Sequence, residues 1–175
     1  MEHLNITFSA PNQQLVIKQL VYLIAKNQCH IEESRFAFLG GEFAGVLRIA
    51  GNWNSIAKLE AALNNISPEH LIKIEVKRSE TAKIEGKFLP YMAQVIALDT
   101  PSLVYEITHF FSDQSIQIID LQTDPFKTNH ANTMMLTLSM RINVPAHINI
   151  ADLREQFMVL CDELNVDGIL EPEKR

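Results

Sequence analysis

The chain repeats one order of hydrophobic periodicities, and this repeat most constrains what it can fold into. Stretches with the two-residue period of a strand alternate with stretches that keep the spacing of one helical face. The same order returns in the second half of the chain, where a shift of 87 residues places Asn12 on Asp99 and Ile31 on Ile118. A structural unit that occurs twice in tandem is therefore predicted.

The first half reads as six elements. Gly40 and Gly41 separate two extended stretches and can both adopt the positive φ angles of a tight hairpin turn. The predicted elements, in chain order, are a strand Leu4–Ser9, a helix Asn12–Asn27, strands His30–Leu39 and Glu42–Ala50, a helix after Asn52, and a strand around Ile72–Val76.

The second half repeats this order. Thr100 followed by Pro101 predicts a helix start, because a hydroxyl can cap a helix and proline is tolerated in its first turn. Asn149 is placed to cap the last helix. The other predicted elements are strands Tyr91–Leu98, Ile116–Thr123, Met134–Ile142 and Gly168–Leu170, with helical spacing at Leu103–Phe111 and Leu153–Leu164.

This order predicts an α+β fold of two tandem ferredoxin-like βαββαβ domains, each an antiparallel sheet with helices on one face. We place the domains at 1–79 and 88–175, joined by a polar linker at 80–87. The other face of each sheet has a mixed composition, so we expect the other half or a second chain to cover it. A homodimer is one such arrangement.

Charge and hydropathy exclude several classes of protein. The net charge of −6 argues against direct nucleic-acid binding, which depends on clustered cations. An RNA-recognition module would carry stacking aromatics on its central strands, and Glu42–Ile49 has one aromatic residue. No apolar run approaches the length of roughly 18 residues that a membrane span needs. Met1–Asn5 does not resemble a signal peptide. We therefore predict a cytoplasmic protein with no membrane contact.

The residues that could carry chemistry favour a protein without catalytic residues. Cys29 and His30 are neighbours on an extended segment, so their side chains point to opposite faces and cannot form an activated pair. Acidic neighbours would raise the pKa of the Cys161 thiol. The six histidines have no metal-ligand spacing, and no phosphate-binding glycine motif occurs. We predict no metal, no cofactor and no enzymatic activity.

A small ligand is best placed where the first strand of each half leads into a helix. Free amide groups and the positive end of the helix dipole favour a carboxylate there, as a free amino acid would offer. The polar side chains at these positions are Asn12, Gln13 and Gln14 in the first half, and Asp99, Thr100 and Ser102 in the second. Asp99 could receive an ammonium group. The same residues could instead serve only as helix caps.

Several strings of residues resemble the family of tandem ACT-domain regulatory proteins. They are Ile31-Glu32-Glu33-Ser34-Arg35, Leu39-Gly40-Gly41-Glu42-Phe43, Gly51-Asn52-Trp53-Asn54 and Cys161-Asp162-Glu163-Leu164-Asn165. The resemblance spans about Leu4 to Leu170. It implies a regulator without a DNA-binding domain, which senses glycine and represses the glycine cleavage operon by contacting a LysR-type activator.

The resemblance also bears on the ligand site. The Asp-x-Pro-Gly turn of the family is replaced in the first half by Asn12, Gln13, Gln14 and Leu15, whereas Asp99-Thr100-Pro101-Ser102 keeps more of the pattern. Leu15 adds a side chain where glycine would let the backbone approach a ligand. His30, Ile31 and Ile118 complete the predicted ligand-binding residues.

Two other functions remain open at this point. The chain could be an interaction module whose pockets have lost their ligand, or an accessory module attached to an enzyme of amino-acid metabolism. Fold-level similarity alone does not distinguish among them.

Overall fold

A computed structural model of the chain describes residues 1–11, 13–66, 72–79, 86–128 and 133–174. The chain divides into two compact units, Met1–Lys83 and Ile84–Arg175. Most of the predicted linker at 80–87 lies outside the described residues, so its extent stays a prediction.

The first unit has the predicted order of strands and helices. Its four strands form one antiparallel sheet in the order β2-β3-β1-β4. The elements are β1 (Glu2–Ala10), α1 (Gln13–Lys26), β2 (His30–Leu39), β3 (Glu42–Gly51), α2 (Trp53–Asn64) and β4 (Lys73–Ser79).

The second unit repeats this topology, with the sheet order β6-β7-β5-β8. The elements are β5 (Phe88–Leu98), α3 (Leu103–Asp113), β6 (Gln117–Lys127), β7 (Met134–Pro145), α4 (Ile150–Leu164) and β8 (Asp167–Pro172). The prediction of two tandem ferredoxin-like units is confirmed.

Each unit has its own core on one face of its sheet. Alternate residues of the central strands are buried against the helices, such as Ile6 and Phe8 on β1 and Val95 and Ala97 on β5. The residues between them lie on the opposite face, which carries no described helix of the same unit. We call this second surface the open face of each sheet.

Local geometry confirms the predicted hairpin and cap. Gly40 and Gly41 have φ angles of 60° and 88°. Residues with a Cβ rarely adopt such angles. The Asn149 side chain accepts a hydrogen bond of 2.9 Å from the amide of Ala151 and so caps α4. Asn52 caps α2 in the same way, accepting from the amide of Ser55 at 2.9 Å.

The predicted start of α3 is wrong by two residues. The helix begins at Leu103, and the Thr100 carbonyl accepts a hydrogen bond from the Leu103 amide at 3.2 Å. This i to i+3 bond makes residues 100–103 a turn with Pro101 in its second position, which proline also favours. Ser102 occupies the cap position without a capping side-chain bond.

Candidate functional site

The loop after β1 is the first of the two predicted ligand positions. α1 begins at Gln13, directly after Asn12, which lies outside the described residues. Gln14 is exposed and Leu15 is half-buried in the first turn of α1. The first turn has no acidic side chain, so the positive end of the α1 dipole is not offset there by a neighbouring carboxylate.

The loop after β5 differs in its electrostatics. Asp99, Thr100 and Ser102 are all exposed, and the Asp99 amide donates a hydrogen bond of 3.2 Å to the Met134 carbonyl at the start of β7. Glu106 adds a second carboxylate in the first turn of α3. Two acids near this helix start favour a ligand's ammonium group over its carboxylate.

The remaining predicted residues lie at the other end of each sheet. The pairing of β1, β3 and β2 puts His30 in line with His3, at the beginning of β1. From there to Ala10, the last residue of β1, is seven residues, or about 23 Å of strand. His30 and Ile31 are therefore not brought together with Gln14 and Leu15 within the first unit.

The same separation holds in the second unit. Ile118 pairs with Ile142, which pairs with Tyr91 near the start of β5. Seven residues, or about 23 Å of strand, separate Tyr91 from Leu98, where the loop carrying Asp99 begins. Ile118 is half-buried and packs against the core, so its described contacts are structural.

A polar network across the first open face was missed by the sequence analysis. The Arg48 Nε lies 3.1 Å from a carboxylate oxygen of Glu32, and the His3 Nε2 lies 3.4 Å from the same oxygen. Arg48 also donates a hydrogen bond of 3.4 Å to the Ser79 hydroxyl. The network therefore joins all four strands of the first sheet. The network depends on the strand register, and the 87-residue shift between the two halves does not reveal that register.

The second unit holds an arginine at the equivalent position. Arg141 of β7 lies 3.5 Å from Asp120 and 3.6 Å from Glu173. Both arginines sit beside a β-bulge, between Ile31 and Glu33 in β2 and between Ile118 and Asp120 in β6. The two arginines tie the edge strand to the rest of each sheet.

Neither cysteine is arranged for catalysis. Both side chains are buried, and burial raises the pKa of the Cys29 thiol. Burial is also the largest cause of the raised pKa of the Cys161 thiol, and the charges of Asp162 and Asp167 add to it. A raised thiol pKa disfavours the nucleophilic thiolate.

The described residues form neither a metal cluster nor a membrane-spanning helix. No three His, Cys, Asp or Glu side chains among them are grouped so that they could hold a metal ion. None of the described helices is both long enough and apolar enough to cross a membrane.

Comparison with known proteins shows which domain family the first unit matches. Residues 2–77 match the family model of the ACT domain. The second unit has the same strand order as the first, so the chain is similar in architecture to proteins with two ACT domains in tandem.

The similarity to one particular regulator covers most of the chain. The chain is 26% identical over 166 residues to the glycine cleavage system transcriptional repressor of Escherichia coli, covering 95% of this chain and 87% of that protein. The repressor of Shigella flexneri matches with the same identity and coverage.

Solved structures show the same similarity. A crystal structure of a candidate glycine cleavage system transcriptional repressor superposes with a TM-score of 0.73 and 25% identity over 99% of this chain and 98% of that one. A protein of unknown function from Galdieria sulphuraria shares the fold, with a TM-score of 0.79, 18% identity and 99% coverage of both chains. The chain is therefore similar over nearly its whole length to regulatory proteins that repress the glycine cleavage system.

Proposed function

We propose that this protein is a cytoplasmic, glycine-responsive negative regulator of glycine cleavage operon transcription. It acts by contacting a LysR-type activator and does not itself bind DNA or catalyse a reaction. The observation that carries this proposal is the 26% identity to the glycine cleavage repressor over 95% of the chain. The net charge of −6 supports action through a protein partner, because DNA binding depends on clustered cations.

The ligand we propose is an amino acid bound at the helix starts after β1 and β5. The acid-free first turn of α1 suits a carboxylate, and the two acids near the start of α3, Asp99 and Glu106, suit an ammonium group. For the ligand to act as a signal, its affinity must differ between two states of the protein that present different surfaces to the activator.

We further propose that the protein works as a homodimer. Within each unit, the starts of β2 and β6 lie about 23 Å from the loops after β1 and β5. A ligand contacting both sets of predicted residues would therefore need the other unit or a second copy of the chain to supply His30, Ile31 or Ile118, and we propose the second copy.

Calorimetric titration with glycine tests the ligand, with serine and alanine as controls. We expect saturable heat with glycine, and a rise in melting temperature that continues as glycine exceeds its dissociation constant. Absence of both signals at millimolar glycine would contradict glycine sensing.

The Asp99→Ala variant tests the loop after β5. Loss of a charge-assisted hydrogen bond to an ammonium group is expected to weaken amino-acid binding roughly tenfold. Asp113→Ala is the matched control, because it removes a carboxylate at the other end of α3. Equal affinity of the Asp99→Ala variant and the wild type would remove Asp99 from the site.

Retention of the protein on an immobilised LysR-type activator of the glycine cleavage operon tests the partner. Retention that changes with glycine supports the proposed function. A wild-type protein that does not bind this activator at any glycine concentration would overturn it.

A further inference from the structure

An apolar patch lies on the open face of the second sheet, at the end where β5 leads into α3. The exposed fractions of its large side chains are 43% for Ile96, 54% for Leu98, 40% for Phe126 and 51% for Ile169. Met135 pairs with both Leu98 and Phe126 and joins them into one surface. We call these five residues the β5 patch. Large exposed apolar clusters of this kind mark interaction sites.

A cavity of about 440 Å³ opens beside the β5 patch. Ile96, Leu98 and Met135 line its apolar side, and Asp162 and Asp167 line its acidic side. The last turn of α4 also borders it, and carbonyl groups at a helix C-terminus carry partial negative charge. The described residues that line the cavity include no lysine, arginine or histidine.

This combination fits the side chain of lysine or arginine. Such a side chain lays its apolar stem along hydrophobic surface and keeps its charged end among polar groups. Ile96 and Leu98 would contact the stem, and Asp162 and Asp167 would face the charge. A free amino acid is a poorer fit, because its carboxylate would meet no cationic side chain among the described lining residues.

The charge around the β5 patch also decides between a partner and a second copy. Among the described residues, this open face carries five carboxylates and one guanidinium. The guanidinium belongs to Arg141, which already pairs with Asp120 and Glu173. The five acids are Asp120, Asp124, Asp167, Glu171 and Glu173. A two-fold contact through this face would oppose like charges, which disfavours association.

We propose that the β5 patch and its cavity form the docking surface for a protein partner that presents a lysine or arginine side chain flanked by apolar residues. That the occupant of this surface is a protein partner rests on the proposed regulatory function. The chemistry of the surface is nevertheless testable without the activator.

The test variant is Ile96→Ser with Asp167→Lys. The strand registers make Ser9 and Lys73 the first-unit counterparts of Ile96 and Asp167. Both substitutions therefore introduce the residue that the first unit already has at the equivalent position. The matched control is Val46→Ser with Glu75→Lys on the first open face, which makes the same two kinds of chemical change and the same change of net charge.

The probe is a synthetic 18-residue amphipathic helix of leucine and lysine, with a leucine and glutamate helix as its negative control. We expect the full-length wild type and the control variant to bind the lysine peptide equally. The patch variant is expected to bind it roughly tenfold more weakly or worse. Equal weakening of both variants, equal affinity of all three proteins, or equal binding of the glutamate peptide would overturn the proposal.

Sedimentation equilibrium of the same three proteins tests the competing occupant. A change of oligomeric state confined to the patch variant would show that a second copy covers the β5 patch, and would overturn the proposal. An unchanged state supports it. Failure of the wild type to bind the LysR-type activator would overturn the proposed function alone, because the peptide result does not depend on that activator.

Discussion

The two open sheet faces share one strand register and differ in the side chains that they carry. At the corner of the β5 patch, Ile96, Met135 and Ile169 occupy the positions that Ser9, Glu42 and Glu75 hold in the first unit. Next to them, Asp167 and Glu171 stand where the first unit has Lys73 and Lys77. Within a duplicated fold, the first open face is therefore charged and of mixed sign, whereas the second is apolar and acidic.

The difference shows that the open face can carry different side chains while the core side keeps the same fold. Each core lies on the opposite side of the sheet, and exposed side chains on a strand contribute little to the folded state. The sequence predicts a mixed open face in both halves, and the first carries Leu39 and Val46 as exposed large apolar residues among polar and small ones. The interaction surface that we propose therefore belongs to the second unit.

The two cores are filled by different combinations of side chains at equivalent positions. In the first unit, Phe8 lies beside Gly45, and its ring packs 5.7 Å from the ring of Phe36 and 5.6 Å from that of Phe43. In the second unit, Val95 and Leu138 take the positions of Phe8 and Gly45. A large and a small residue have been exchanged for two of intermediate size, which keeps the filled volume similar.

The largest effect on stability is expected for Gly45→Ala, which disrupts the packing of Phe8 in the first core. A Cβ atom at this position would overlap a ring carbon of Phe36 and lie 2.6 Å from the Arg35 carbonyl oxygen. The Arg35 oxygen is backbone and cannot move away cheaply, so we expect a loss of about 1–3 kcal/mol in the free energy of unfolding. Urea denaturation followed by the fluorescence of Trp53 measures it, because this is the single tryptophan and lies in the first unit.

Ala44→Ser is the control for Gly45→Ala. Ala44 is the preceding residue of β3 and is exposed on the open face. Its substitution is expected to change the free energy of unfolding by at most about 0.5 kcal/mol. An unchanged urea midpoint for Gly45→Ala would contradict the packing argument.

A smaller effect is expected at the helix caps, which the two units share. Asn52 and Asn149 each accept one hydrogen bond from an amide at a helix start that has no partner within the helix. Replacing either with alanine is expected to cost about 1 kcal/mol in thermal or urea unfolding. Ser102→Ala is the control, since this cap residue makes no side-chain capping bond. A loss at Ser102 as large as that at Asn149 would refute the assignment.

The smallest effect is a gain in stability at two equivalent turns. Gln28 and Ser115 follow α1 and α3 with φ angles of 55° and 57°. This left-handed conformation is costly for a residue with a Cβ. Gln28→Gly and Ser115→Gly are each expected to raise the free energy of unfolding by roughly 0.4–1 kcal/mol. Melting temperatures check this, with Gln14→Gly in α1 as a control that is expected to lose stability.

The candidate ligand site shows how far sequence proximity can be trusted. The turns after β1 and β5 could be placed from the sequence, because a strand followed by a helical period marks each of them. Whether Ile118 lies near Asp99 could not be predicted from the sequence, because it depends on the direction in which β6 pairs with β7. Antiparallel pairing puts the two at opposite ends of the sheet.

The equivalence of Arg48 and Arg141 was missed for a related reason. Ile118 follows Ile31 by 87 residues, whereas Arg141 follows Arg48 by 93, because the connection from Lys127 to Met134 is longer than the one from Leu39 to Glu42. Aligning the two halves by their alternating strand patterns, instead of by a fixed shift, would have matched the arginines.

By itself, the sequence determined the βαββαβ order of each half, the Gly40–Gly41 hairpin, the cap at Asn149 and the raised pKa of the Cys161 thiol, because these follow from periodicity, backbone freedom and near neighbours in the chain. Only the tertiary structure decided which exposed residues meet. The β5 patch draws Ile96, Phe126, Met135 and Ile169 from four different strands, and its cavity adds Asp162 from α4. Such a surface is set by strand register and by the packing of helix on sheet, which no local pattern contains.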